Sequence, residues 1–438
     1  MLPVAGPAPR RGHHHQRRRR AARRTPGRAR RHLHTLAEAS LLDTDRHDRY
    51  RLHDLLRAYA AHRLQLAEHP AGEHDEVIIR ILDFYLQTAH NADRQRAPHR
   101  YAVAELDATT PVVAQTFATD RDAAHWLLTE RHNLAAVTRL AAEHGHHHHA
   151  WRLPGTLRKV LERHHLHDES LALHTIALAS ARAIGDSSGQ ASTLKDLGTV
   201  HLNLHQPTEA VQCLSEALTI ARNTHHQLAE GACLHNLGRA HLALDDIERA
   251  RDYYRQALAL RREINDQDGV GYTLHRLGMS YGHVQDYDVA VTHFRQALQV
   301  REKIQHYQGQ ADTLAGLATL HLHQGNFNRT IEYAQRALPI HDRTLDHRTA
   351  IDTLLVLARA FYNLHHYDDT ISAATRAADL CWEINDPAGR AQSFDLLSCA
   401  RNALGELELS NRLRQQASAI RAAFAIQGDL NTDNVSGL

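Results

Sequence analysis

The sequence predicts an all-α protein, most of it an α-solenoid of helix–turn–helix repeats. Three observations carry that prediction. From residue 151 to about 430 the chain aligns with itself every 40 residues without a gap, and a fixed period of this length marks stacked supersecondary units. Within each unit, apolar residues recur twice at i, i+3, i+4 and i+7, which is one face of a helix. The composition agrees: 11 Pro and 22 Gly are few breakers for 438 residues, while the helix formers Ala, Leu and Arg abound.

The first helix of each unit is read from the strings ASTLKDLG at 191, GACLHNLG at 231, GYTLHRLG at 271, ADTLAGLA at 311 and IDTLLVLA at 351. The units at 151 and 391 are degenerate. Position 4 is Leu194, Leu234, Leu274, Leu314 and Leu354, and position 7 is Leu197, Leu237, Leu277, Leu317, Leu357 and Leu397. Position 8 is small (Gly198, Gly238, Gly278, Ala318, Ala358, Ser398), and position 11 holds His201, His241, Tyr281, His321 and Phe361. A turn follows as LHQP, LDDI, VQDY, QGNF or LHHY. The second helix keeps Ala210, Ala250, Ala290, Thr330 and Thr370 at position 20, and at position 27 Ala217, Ala257, Ala297, Ala337, Ala377 and Ala417. Small side chains let helix axes approach, and bulky ones fill the remaining space. Several second helices end at IGD (184–186) or IND (264–266, 384–386), where Gly or Asn suits a left-handed cap.

These positions resemble the tetratricopeptide pattern, with a unit of 40 residues where that pattern has about 34. The six extra residues lengthen the two helices together by roughly 9 Å at ~1.5 Å per residue. The resemblance implies a right-handed solenoid of about seven repeats over 151–430, whose business is to bind another macromolecule. It also implies that first helices line the concave surface, with positions 2, 5, 6, 9 and 13 facing it. Those positions give Lys195, His235, Asn236, Arg239, Tyr272, His275, Arg276, Arg359 and Asn363 as groove candidates, facing the acids Asp196, Asp312 and Asp352. Four fixed cations with Tyr and Asn between them make a mildly basic groove, and arginine forks suit carboxylates. An acidic peptide segment is the expected ligand, with Asn236 pairing to its backbone. The alternative is that these are solvated positions such as any solenoid exposes.

In front of the repeats, 28–70 reads as a helix through Leu33, Leu36, Ala37 and Leu41, a turn at DTDRHD, a short strand at Tyr50–Leu52, and a second helix from His53–Asp54. Helix, hairpin and helix form the back half of a winged-helix domain. The string RYRLHDLLRAYA, with DFYLQTAHNAD (83–93) and WLLTERHNLAAVTRLAAEHG (126–145), resembles the C-terminal part of actinobacterial regulators of the SARP type. These are NB-ARC proteins of the STAND class that carry tetratricopeptide repeats. The resemblance implies a truncated winged-helix remnant (28–70), a helical linker (74–150), and His53 and Asp54 as the remnant of a nucleotide sensor. The other reading of that pair is a plain helix cap. No GxxxxGK[ST] loop occurs, and no Gly-Lys pair at all, so nothing here cradles a triphosphate and no cofactor is expected. The chain reads as a piece of such a regulator without its NTPase. The leading function is a partner-binding scaffold or sensor module in signalling or transcription. The alternative is part of a nucleotide-switched, DNA-binding regulator whose NTPase and DNA-binding domains lie elsewhere.

Charge is uneven. Residues 1–31 hold 11 Arg and no Asp or Glu, so the rest carries 40 of the 51 basic residues against all 50 acidic ones. Outside the head this is no nucleic-acid-binding composition. The leader 1–27, basic and rich in Pro and Gly, is expected to be disordered and to touch nucleic acid non-specifically at most. The tail 431–438 is expected to fray.

The runs HGHHHHA (144–150) and RHHLHDE (163–169) are read as loop histidines, since adjacent His do not fix four ligands; no metal site is expected. GDSSG (185–189) fits the elbow formula around Ser187, but it lies in a turn between helices, and no catalytic set is present. The protein is therefore not expected to be an enzyme. Four Cys without CxxC spacing, and no apolar run near ~20 residues, point to a cytoplasmic protein.

Overall fold

The computed structural model describes residues 26–44, 50–52, 73–96, 112–344 and 346–424, with Leu56, Tyr59 and His62. The chain forms two compact units, Met1–His225 and His226–Leu438. The first holds α1 (Pro26–Glu38), β1 (Leu42–Thr44), β2 (Tyr50–Leu52), α2 (Glu73–Arg96), α3 (Asp120–Glu143), α4 (His147–Arg163), α5 (His167–Ala183), α6 (Ser187–Asn203) and α7 (Pro207–Asn223). The second holds α8 (Gln227–Ala243), α9 (Ile247–Glu263), α10 (Gln267–His283), α11 (Tyr287–Lys303), α12 (Tyr307–His323), α13 (Phe327–Thr344), α14 (His347–Asn363), α15 (Tyr367–Glu383), α16 (Pro387–Ala403) and α17 (Leu407–Phe424).

The fold class is all-α, an α-solenoid of tetratricopeptide-type helix pairs, as the periodicity predicts. Its forty-residue period splits into two equal halves. From α4 to α12 each helix has 17 residues, and three-residue turns separate them. The sequence-based start at 151 falls inside α4, which begins at His147.

The turns explain the regularity. Every twentieth residue from Gly145 to Gly405, position 345 lying outside the described residues, has φ between 53° and 82°. This left-handed residue closes each helix. The Gly185 N–H donates to Arg182 O at 3.1 Å and the Asp186 N–H to Ala181 O at 3.0 Å, the paired bonds of a Schellman cap. Asp186, Asp266 and Asp386 then accept from the N–H of Gly189, Gly269 and Gly389 at 2.8, 2.9 and 3.1 Å, so each IGD or IND string ends one helix and caps the next. His165, His205, His225 and His365 fill the same left-handed slot. The run at 146–149 departs from the loop expectation: His146 is the N-cap of α4, and His147, His148 and His149 form its first turn.

Leucines at positions 4 and 7 are buried, each contributing about 1.5–3 kcal/mol. Position 8 is matched to position 24 of the second helix. A Cβ added to Gly198, Gly238 or Gly278 would lie 2.5, 2.6 or 2.8 Å from Leu214, Tyr254 or Phe294 respectively. Where position 8 is Ala318 or Ala358, position 24 is Ala334 or Ala374, all fully buried. Bulk withdrawn from one helix is thus supplied by its partner. Position 31 adds buried arginines that the column reading overlooks. Arg301, 1% exposed, donates through Nη1 to Gly309 O at 2.6 Å and Thr313 Oγ1 at 2.5 Å on the next first helix. Arg261 repeats this with Gly269 O (2.6 Å) and Thr273 Oγ1 (2.9 Å).

In the first unit α2 packs on α3 and α4. There Nε2 of His149 meets the buried Asp83 Oδ1 at 2.9 Å. Strand β1 pairs antiparallel with β2 in the register Leu42↔Leu52, Asp43↔Arg51 and Thr44↔Tyr50, so the first two residues expected in the turn lie in a strand. His53, Asp54, most of the helix expected there, residues 1–25 of the leader and the tail after 424 lie outside the described residues.

Candidate functional site

In the second unit each first helix touches the next first helix: α8 with α10, α10 with α12, α12 with α14, and α14 with α16. Successive second helices make no comparable contact. Helices that crowd lie on the inner side of a curved stack, so within this unit the first helices form the concave face.

Three first helices position a polar cluster on it. Asn236 and Arg239 stand on α8, Tyr272, His275 and Arg276 on α10, and Asp312 on α12. Arg239 and Arg276 are half-buried and Tyr272 is exposed. Nη1 of Arg239 donates to Asn236 Oδ1 at 3.3 Å, which orients the guanidinium. Nη1 of Arg276 reaches Met279 Sδ at 3.4 Å. The buried Arg301 guanidinium lies 5.0 Å from the Tyr272 ring centre.

Two of the predicted residues behave differently. His235 is buried, 5.6 Å from the Tyr254 ring, with Nδ1 3.3 Å from Thr273 Oγ1. His275 meets Phe294 edge-on at 5.0 Å. Burial, reinforced by Arg261, Arg239 and Arg276 around His235 and by Arg301 and Arg276 around His275, holds both well below the usual histidine range. They are neutral packing groups between repeats, and burial removes His235 from the groove surface.

The remaining candidates are dispersed. Lys195 belongs to the first unit, where Nζ lies 3.3 Å from Asp196 Oδ1. Asp196 is itself buried and met by Arg158 Nε at 3.2 Å, so this acid is interior and not a groove wall. Arg359 is exposed on α14, and Asn363 Nδ2 donates to its backbone oxygen at 2.8 Å. Burial pushes Asp312 up to about 6, partly opposed by Arg301, and Gln308 Nε2 donates to it at 3.3 Å. Burial also raises the exposed-edge acid Asp352.

The column reading missed Tyr254, a buried residue of α9 whose ring lies 5.6 Å from that of His235 and whose hydroxyl has no hydrogen-bond partner among the described residues. The signal available in the sequence was its singularity: position 24 is Leu214, Phe294, Ala334 and Ala374 in the neighbouring units. Ser187 of the GDSSG string is the first residue of α6, after a turn from α5. A helix before it leaves no strand-to-helix elbow to expose the hydroxyl.

Comparison with known proteins agrees with this architecture. The tetratricopeptide-repeat family profile matches residues 159–223, 191–263 and 269–343. The regulatory protein AfsR of Streptomyces griseus is 35% identical over 115 residues, 26% of this chain and 12% of that protein. AfsR of Streptomyces coelicolor is 35% identical over 113 residues, 25% of this chain and 11% of that protein. The alignments thus cover only about an eighth of the length of these curated relatives. Among solved structures, a signal transduction ATPase with numerous domains (STAND) from Pyrococcus horikoshii, with a tetratricopeptide-repeat sensor, gives a TM-score of 0.55 at 15% identity, covering 90% of this chain and 59% of that one. A Rap protein complexed with Competence and Sporulation Factor also gives 0.55, at 13% identity, covering 86% and 93%. At such identities the likeness is one of fold. The chain carries tetratricopeptide repeats, and part of it is similar to bacterial regulatory proteins.

Proposed function

We propose that this chain is the partner-binding module of a signalling or transcriptional regulator, and that the first-helix face of its second unit takes an acidic protein segment. The observation that carries the reading is the pair Arg239 and Arg276. They are half-buried on successive first helices, and the amide oxygen of Asn236 orients Arg239. Partly desolvated guanidinium groups bind carboxylates more strongly than fully solvated ones. The similarity to AfsR regulatory proteins, and the fold shared with a tetratricopeptide sensor, support a sensor role.

The helix–hairpin order α1–β1–β2 suits a winged-helix remnant of an NB-ARC module of the SARP type over 28–70, with His53 and Asp54 as its former nucleotide sensor. In that reading the module acts in the cytoplasm and performs no catalysis of its own. The test is the double change Arg239→Glu with Arg276→Glu in the full chain, followed by circular dichroism and by capture of partners. A partner captured by the wild type and lost by the folded variant supports the groove. A partner retained by the variant places the ligand on another face and ends this reading.

A further inference from the structure

We propose that Trp382, with Asp379 and Asp368 on the same exposed face of α15, docks an arginine-bearing basic segment of a protein partner, on the second-helix side of the repeats and apart from the groove. Position 32 carries a charge in the preceding units: Arg182, Arg222, Arg262, Glu302 and Asp342. Three of these pair with position 26 of the next unit. Arg182 Nη2 meets Glu216 Oε1 at 2.6 Å, Arg336 Nη2 meets Glu302 Oε1 at 3.6 Å, and Arg376 Nη2 meets Asp342 Oδ1 at 2.5 Å. The ladder then stops, because Trp382 takes the place of the charge and Gln416 that of its partner. The indole is 73% exposed, more than any other large apolar side chain among the described residues. A ring of this size has a large apolar area still to bury, and Trp is among the residues that most often anchor an interface.

Charge selects the occupant. On α15 the exposed acids Asp368, Asp369, Asp379 and Glu383 stand against one basic residue, Arg376, which Asp342 already engages. Asp368 and Asp379 make no ion pair among the described residues. They precede Trp382 by fourteen and three residues, spacings that keep all three on one helix face. That face is ~21 Å long at ~1.5 Å per residue, the reach of about six extended residues. The second helices from α5 to α13 each place a basic residue in the last turn, and α15 has none there, so the negative end of its dipole lacks the usual cation. The ring already accepts one guanidinium: Arg390 Cζ lies 5.0 Å from its centre, and most of the indole remains open. A partner arginine stacked on the open part donates to Asp379 one turn away. Arginine suits this better than lysine, because its planar, weakly hydrated fork stacks and hydrogen-bonds at once.

The probe is fluorescent hexaarginine titrated into the full chain, with hexalysine as comparison. Hexaarginine binds saturably and more tightly than hexalysine. Trp382→Ala changes no charge and removes an exposed ring, so the melting temperature stays level while hexaarginine binding weakens about two- to fivefold, the scale of one exposed cation–π contact. Asp379→Lys weakens binding more than Asp288→Lys, the same charge reversal at an exposed position of α11. Equal binding by wild type and Trp382→Ala overturns the site. Equal losses in Asp379→Lys and Asp288→Lys assign binding to diffuse charge and overturn it as well. Hexalysine binding as tightly as hexaarginine overturns the stacked guanidinium. Self-association of the wild-type chain that Trp382→Ala abolishes, read by sedimentation over a range of concentrations, gives this face to a second copy and overturns the basic partner.

Discussion

A methyl added to Gly238 would lie 2.6 Å from the Tyr254 ring, and the next units show how the chain avoids this conflict, with Ala318 and Ala358 set against Ala334 and Ala374. Gly238→Ala should therefore cost about 1–3 kcal/mol by overpacking. Much of that cost should vanish in a Tyr254→Ala background. Urea unfolding of the four proteins gives the coupling, and strict additivity would disprove the pairing of positions 8 and 24. Ala257 offers a second residue-scale test. It is fully buried where two helices meet, whereas its neighbour Gln256 is exposed. Ala257→Arg buries an unpaired charge and should cost about 3 kcal/mol or more. Gln256→Arg should stay within about 0.5 kcal/mol. Similar melts for both would mean that the column assignment is wrong.

At the scale of the element, the left-handed turn residue governs how each helix stops. Gly185 holds φ 66° with open space around a would-be Cβ, so Gly185→Ala isolates backbone strain and should cost about 1–2 kcal/mol. Gln305 adopts φ 54° with a side chain, so Gln305→Gly should gain up to about 1 kcal/mol from relieved strain, offset by the entropy of glycine. Thermal denaturation distinguishes the two directions; a stabilised Gly185→Ala would contradict the turn account. The turn sites were legible wherever IGD or IND marked them. The LHQP, VQDY and LHHY turns were legible as turns too, but not which residue in them is left-handed, because neither His nor Gln signals that conformation.

For the whole molecule, buried histidine sets the pH dependence. His174, His235, His275 and His341 are all lowered from 6.5, chiefly by burial. As pH falls through 6.5 the unfolded chain takes up protons that the folded chain refuses, so stability falls toward acid. Asp312 opposes this: its carboxyl, raised from 3.8 to about 6, makes the fold lose stability as pH rises across that window. Several histidines act against it. The melting temperature should therefore be lower at about pH 5.5 than at about pH 7.5 at constant ionic strength. An equal or higher value at the acid end would refute the histidine account.

The sequence by itself determined the all-α class, the forty-residue period and the packed faces of both helices. Those features are repeated, and repetition makes a packing requirement visible as a column. It did not place the start of the first helix at His147, since the columns record buried faces and not helix ends. Nor did it show Arg301 bonded to the next repeat, His235 withdrawn into the interior, or Asp196 buried against Arg158. Each depends on side chains from helices in different units meeting in space. The candidate site was legible in part: Asn236, Arg239, Tyr272 and Arg276 came from the column rule, while Tyr254 did not. Its ring enters from the opposite helix of the pair, and only tertiary packing sets it against Gly238 and His235.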